Sequence, residues 1–155
     1  MKSGGRLRYA FVDGEKRLPA TGLWGICPTC GETEVSHCGT LIVHHWSNKA
    51  RADCDTWSDP IGEWHLSWQE LVDPEFVEVV IEPHRADIVG NGDKVVELQH
   101  SNISIEEIAE RENFYKNMVW VFDAMERFEV ISTGQRAFFS LGQTEKIAAG
   151  TQPVY

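Results

Sequence analysis

The spacing of apolar and polar residues along this chain predicts most of its elements before any chemistry is considered. Arg6 to Val12 reads as a first strand closed by a turn at Asp13-Gly14, and Leu23 to Ile26 as a second, short strand. Cys27 to Asp59 holds too few periodic apolar residues to pack by itself. Pro60 then precedes a helix over about 61–72, and Pro74 closes it. Phe76 to Ile81 is rich in β-branched residues and predicts a strand. His84 to Val89 and Lys94 to Gln99 predict two more, joined by Gly90-Asn91-Gly92-Asp93, residues that tolerate positive φ and reverse a chain tightly. Ser104 is a good N-cap for a helix running to about Lys116, with Glu106 and Glu107 in its first turn. Met118 to Phe122 is a fully apolar strand, and one or two strands, Phe128–Ser132 and Gln135–Leu141, follow before a loose tail. The central order is helix, three strands, helix, strand. That order predicts an α/β fold with a mixed central sheet flanked by helices. The expected organisation is an N-terminal stretch of strands and a Cys-rich segment over 1–59, a core over 60–125, and C-terminal strands and tail over 126–155, in one compact unit.

The two strands either side of Gly90-Asn91-Gly92-Asp93 carry the most informative chemistry. Asp87 sits on the first, and Glu97 and Gln99 on the second, the latter two on one face because strand side chains alternate. Asp87 is flanked by Ala86, Ile88 and Val89, and Glu97 by Val95, Val96 and Leu98. Near-continuous apolar runs suggest strands buried on both faces. A buried carboxylate is paired or binds metal, so two of them on neighbouring strands point to a divalent ion. An ion flanked by acids and a polar hydrogen bonder is the equipment for hydrolysing a phosphodiester. The plainer alternative is a pair of solvated edge charges. His84, three residues before Asp87, falls on the opposite strand face and is expected in a structural role.

Length and composition fit one globular domain. The six Trp residues are expected mainly in the core and scaffold. No apolar run reaches membrane-spanning length, and the N-terminus lacks the apolar core of a signal peptide, so a cytoplasmic protein is expected. A net charge of −10, from 14 basic and 24 acidic residues, argues against a surface coated in phosphate contacts. It leaves room for a small footprint served by a metal and a local basic patch.

Four cysteines in an intracellular chain suggest metal rather than disulfides. Cys27-Pro28-Thr29-Cys30-Gly31 has the shape of a zinc knuckle, whose tight turn faces both sulfurs to one ion. Four of the five residues Cys27, Cys30, Cys38, His45 and Cys54 are the expected ligands, with His44 a further downstream candidate. A small polar segment without its own core needs such a staple, and a closed four-ligand site is structural.

These blocks, in this order, resemble the CoiA-like competence proteins, a branch of the PD-(D/E)XK nuclease superfamily. Cys27–Cys30 (CPTC), His37-Cys38-Gly39, His45-Trp46-Ser47-Asn48, Asp53-Cys54-Asp55 and Gly62–Gln69 (GEWHLSWQ) are similar to the family's successive N-terminal blocks. His84–Ile88 (HRADI), Val96–Ser101 (VELQHS), Arg111–Tyr115 (RENFY) and Val119-Trp120-Val121 are similar to those that follow. The resemblance covers about residues 23–123 and departs at two places. Asn48 stands where the family has its second His, and Gln69 stands where it has Lys.

The resemblance implies a restriction-endonuclease-like αβββαβ core and a metal-dependent nuclease acting on DNA, in recombination, transformation or phage DNA processing. It implies that Asp87, Glu97 and the backbone carbonyl of Leu98 hold Mg²⁺ or Mn²⁺. Gln99, where many relatives have Lys, would orient the attacking water or a phosphate oxygen without neutralising charge. Glu63 is a third acid or a carboxylate stabilised by the helix dipole. Arg111 and Tyr115 either reach phosphate or pair with Glu107 and pack. The DNA is single-stranded, duplex or branched, and a protein partner or a second copy of the chain are further expectations. The competing class is a non-catalytic nuclease-fold module, an acidic inhibitor or adaptor of a DNA-processing partner.

Overall fold

The structure, a computed structural model, describes residues 6–48, 54–58 and 61–123, and the backbone of strands 128–133 and 136–141. Asp53, Pro60 and the tail after Leu141 lie outside the described residues. The protein is mixed α/β, mostly strands with two α-helices among the described residues. It divides into two compact units, 1–92 and 93–155.

The first unit opens with β1 (Arg6–Leu7), β2 (Ala10–Val12), β3 (Glu15–Arg17), β4 (Trp24–Ile26), β5 (Thr33–His37) and β6 (His45–Asn48). They form an antiparallel sheet in the order β1-β6-β5-β4-β2-β3. The strand expected over 6–12 is therefore broken in two. The break falls at Arg8 and Tyr9, whose backbone N–H groups donate to the two carboxylate oxygens of buried Glu78 at 2.8 and 3.0 Å. A charged acceptor takes the place of ladder carbonyls at that point.

The segment after Cys27, expected to lack a packing pattern, supplies β5 and β6, both interior strands of the sheet. Trp46 makes this possible. It is fully buried with Leu7, Ala10 and Cys27, and its Nε1 donates to the Arg17 carbonyl at 3.0 Å. Gly25 lets β2 and β4 close over it, because a Cβ there would stand 2.7 Å from the Cβ of Ala10.

Helix α1 (Glu63–Gln69) is shorter than the predicted 61–72 and begins at Gly62 with no side-chain cap. Its inward face is His65 and Gln69, four residues apart. Trp64 and Trp68 meet edge to face on another stripe, and Trp68 is exposed, as is Trp24. Trp46, Trp57 and Trp120 are buried as expected. Strands β7 (Val77–Ile81) and β8 (His84–Val89) pair antiparallel. Lys16 Nζ donates to the carbonyls of Pro74 and Val77. Together with the Glu78 contacts, this ties residues 74–78 to the N-terminal strands within the first unit.

In the second unit β9 (Val95–Gln99) and β10 (Met118–Phe122) pair in parallel. Parallel strands need a crossover, supplied by α2 (Ile105–Tyr115). Ser104 caps α2 as predicted, its Oγ accepting from Glu107 N–H at 3.1 Å. Val95, Leu98, Ile108, Met118, Val119 and Trp120 are buried here. β11 (Phe128–Thr133) and β12 (Arg136–Leu141) fall where two C-terminal strands are expected and pair antiparallel. From α1 to β10 the order is helix, three strands, helix, strand. None of the described helices is long and apolar enough to cross a membrane.

Candidate metal centre

The CPTC turn is closed by two backbone bonds. Gly31 N–H donates to the Cys27 carbonyl at 3.0 Å and Cys27 N–H to the Glu32 carbonyl at 2.8 Å. Gly31, at φ +74°, provides the left-handed residue that ends the turn. Cys54 joins Cys27 and Cys30, and the three sulfurs lie within 4.8 Å of one another. Cys27 Sγ and Cys54 Sγ are 3.6 Å apart. In a tetrahedral site with Zn–S bonds of about 2.3 Å, the sulfurs stand about 3.8 Å apart. A disulfide needs about 2 Å, and all the cysteines are free. The trio therefore fits a metal ion and not a bridge.

Crowding makes the thiols reluctant to ionise without a cation. Burial raises Cys27, although backbone hydrogen bonds from Cys30 and Thr29 oppose the shift. Cys54 is pushed up to about 12, first by desolvation and then by the neighbouring Cys27. A bound cation reverses this logic and holds thiolates outright.

The neighbouring residues are built around Asp55, which is almost fully buried. It accepts from Trp57 N–H at 3.0 Å and Arg85 N–H at 2.8 Å, and its Oδ1 stands 2.9 Å from His84 Nδ1. His84 stacks on Trp57 with ring centroids 3.3 Å apart. His84 thus has the structural role expected of it, and Asp55 anchors the residue next to Cys54. Arg85 Nη1 donates to Thr29 Oγ1 at 3.1 Å, linking β8 to the knuckle. Asn48 Nδ2 lies 4.0 Å from Cys30 Sγ. A small cavity is lined by Glu34, Asn48, Cys54 and Arg85, among others. Glu34 is 1% exposed, and its Oε2 has no hydrogen-bond partner. Burial raises its pKa to about 7, against the pull of the Cys27 thiol and of Arg85.

Two expected ligands are corrected. Cys38 and His45 lie outside the sulfur cluster. On β6 Trp46 and Asn48 face the core, so His45 falls on the opposite face by strand alternation. There its ring stacks on His37 at 5.0 Å and its Nδ1 lies 2.8 Å from the Val43 carbonyl. Cys38 follows the end of β5 and is half-buried away from the trio.

The acidic residues divide between the units. Asp87 lies on β8 of the first, with its Oδ1 3.1 Å from Nε2 of buried His65 on α1. Glu63, the first residue of α1, is exposed. Glu97 lies on β9 of the second unit, 3% exposed, and accepts from Arg111 Nη1 at 2.7 Å. Arg111 also holds Glu107 at 2.5 Å, so the pairing alternative expected for it is the one observed. Burial works against the Arg111 charge, but Glu97 and then Glu107 more than offset it, and its pKa is raised. Gln99 is buried and donates to the Ser101 carbonyl at 2.9 Å. The Leu98 side chain is buried as well. His100 pairs with Asp123 at 2.7 Å, away from Gln99 as strand alternation predicts.

Sequence reasoning missed His65 as the partner of Asp87, though it lies within the quoted GEWHLSWQ block. It also missed Glu34, which carries no motif at all; only its register opposite Asn48 reveals it. No family model matches this chain, and no curated protein or solved structure matches it.

Proposed function

We propose that this protein is a metal-dependent nuclease acting on DNA by phosphodiester hydrolysis, with a restriction-endonuclease-like core and a structural zinc held by Cys27, Cys30 and Cys54. The observation that carries the reading is that the Asp87 block and the Glu97–Gln99 block fall on successive strands, β8 and β9, within the helix, three-strand, helix, strand order. The sulfur geometry supports the zinc part independently.

In this reading Asp87, Glu97 and the Leu98 carbonyl hold Mg²⁺ or Mn²⁺. Such an ion supplies a water nucleophile at neutral pH. His65, against Asp87 Oδ1, orients that carboxylate. Arg111 does the same for Glu97 through Oε2. Gln99 positions the attacking water or a phosphate oxygen, and the chain lacks the Lys that would add charge there. Glu63 is the remaining acid of the set.

One observation favours a second reading. Arg111 already neutralises Glu97 inside the protein, and with Gln99 in place of Lys this describes a nuclease fold kept as a binding module, an inhibitor or adaptor of a DNA-processing partner. The test is cleavage of single-stranded, duplex and branched DNA with Mg²⁺ or Mn²⁺. The enzyme reading expects cutting by the wild type and its loss in Asp87→Ala and Glu97→Ala, each with unchanged circular dichroism. Cutting that survives both substitutions ends the metal-pair assignment. No cutting, with no Mn²⁺ binding by calorimetry, selects the binding module.

A further inference from the structure

Three sulfurs make three corners of a tetrahedron, and a closed structural site needs a fourth ligand. Resemblance points to position 48, but that residue is an asparagine, whose neutral amide is a poor match for a Zn²⁺ already bound by thiolates. His45 and Cys38 are outside the cluster, and the Glu34 oxygens too do not come within 4.8 Å of all three sulfurs, so Glu34 would have to swing toward the ion to bind it.

The strand register brings forward another donor. Glu34 on β5 is the direct cross-strand partner of Asn48 on β6, so both project from the core face of the sheet toward the sulfurs. Both line the same small cavity as Cys54. Glu34 is buried, and one carboxylate oxygen has no hydrogen-bond partner. A buried carboxylate in that state either keeps a proton or meets a cation. Asn48 presents its amide nitrogen to Cys30 Sγ, the geometry of a donor that steadies a thiolate. A carboxylate is an accepted zinc ligand at about 2.0–2.2 Å.

Charge completes the argument. Three thiolates and a carboxylate leave the ion with surplus negative charge. Arg85, joined to the knuckle through Thr29, is shared: Glu78 and Asp55 act on its charge first and Cys27 and Cys54 after them, so it supplies part of the balance.

We propose that Glu34 is the fourth ligand of a Cys27, Cys30, Cys54 and Glu34 zinc centre, with Asn48 as a hydrogen-bonding neighbour and Arg85 as part of the counter-charge. The proposal rests on the zinc part of the reading above and is independent of the nuclease part.

The test uses the full chain. Zinc-edge X-ray absorption of the wild type is expected to fit three sulfur neighbours and one oxygen. Competition with a chromophoric chelator is expected to show a loss of zinc affinity of at least about tenfold in Glu34→Gln, and a smaller loss in Asn48→Ala. Glu34→His should restore affinity and add the imidazole scattering signature, which separates lost ligation from lost folding. Four sulfurs, an imidazole in the wild type, or unchanged affinity and spectrum in Glu34→Gln would each overturn the assignment. So would an oxygen neighbour that vanishes in Asn48→Ala and persists in Glu34→Gln. Wild-type protein that binds no zinc sinks the three-cysteine site itself and this proposal with it. Zinc bound at the three cysteines with Glu34→Gln silent sinks the fourth ligand alone.

Discussion

Two glutamates are buried to nearly the same degree, one in each unit, and their surroundings differ in a useful way. Glu97 on β9 is held by a cation of the protein itself, Arg111, at 2.7 Å. Glu34 on β5 keeps one oxygen without a hydrogen-bond partner and sits beside the Cys27 thiol. Glu97 is balanced by a cation, as Asp55 and Glu78 of the first unit are held by His84 and by backbone N–H groups, whereas Glu34 keeps an oxygen that no protein hydrogen bond reaches. A buried carboxylate is therefore not a metal signal by itself; what distinguishes the two is whether a protein cation answers it.

The largest expected effect tests that contrast directly. Structural zinc contributes on the order of 10 kcal/mol of binding free energy to the fold that holds it. Chelation, or Cys54→Ser, is expected to abolish amide-exchange protection in β4, β5 and β6 while α2 and β10 stay protected. Protection that survives metal removal throughout the first unit would erase the difference between the units.

Next in size, Arg111→Met takes a buried cation away from buried Glu97 and should cost about 3–5 kcal/mol in urea unfolding. Adding Glu97→Gln should recover much of that loss. A single mutant as stable as the wild type would show that Glu97 does not depend on Arg111.

Asp55→Asn is nearly isosteric but puts an amide where the carboxylate accepts backbone N–H groups of Trp57 and Arg85. The expected cost is about 2 kcal/mol, with zinc affinity falling because Cys54 is the neighbouring residue. Stability lost without any change in zinc affinity would separate the Asp55 anchor from the metal centre.

The smallest effect is pH-dependent. Burial first, then the positive charges of Arg6, His37 and His44, hold His45 below its usual pKa, against the Val43 carbonyl. A depressed histidine stabilises the fold fully above the unfolded-state pKa of about 6.5, and that contribution is lost as pH falls through the folded-state value. His45→Gln should therefore flatten the acid limb of a stability-against-pH curve between pH 7 and 5. It should leave zinc affinity unchanged, since His45 faces away from the sulfurs; loss of zinc would return it to the ligand set.

Much of the second unit was legible residue by residue. The Ser104 cap, the apolar run Met118–Phe122 and the two C-terminal strands appear where local pattern puts them. These are short-range signals, decided by propensity and spacing within a few residues. The first unit was harder to read. Its strands β1 to β6 are two to five residues long, and β5 and β6 carry little apolar alternation. One tryptophan buries what a run of aliphatics would bury elsewhere.

The candidate site divides along the same line. Local spacing was enough for Cys27 and Cys30, because a CxxC turn is self-contained. It also marked Asp87, Glu97 and Gln99 as chemically unusual, since charge within apolar strands is legible in one dimension. Tertiary structure alone decided that Cys54 joins the pair and Cys38 and His45 do not, because strand alternation and register choose which face each side chain takes. It also decided that Glu97 meets Arg111, fourteen residues away, and that Glu34 meets no protein cation at hydrogen-bonding distance among the described residues. Which charge answers which is a matter of long-range packing, and no local pattern encodes it.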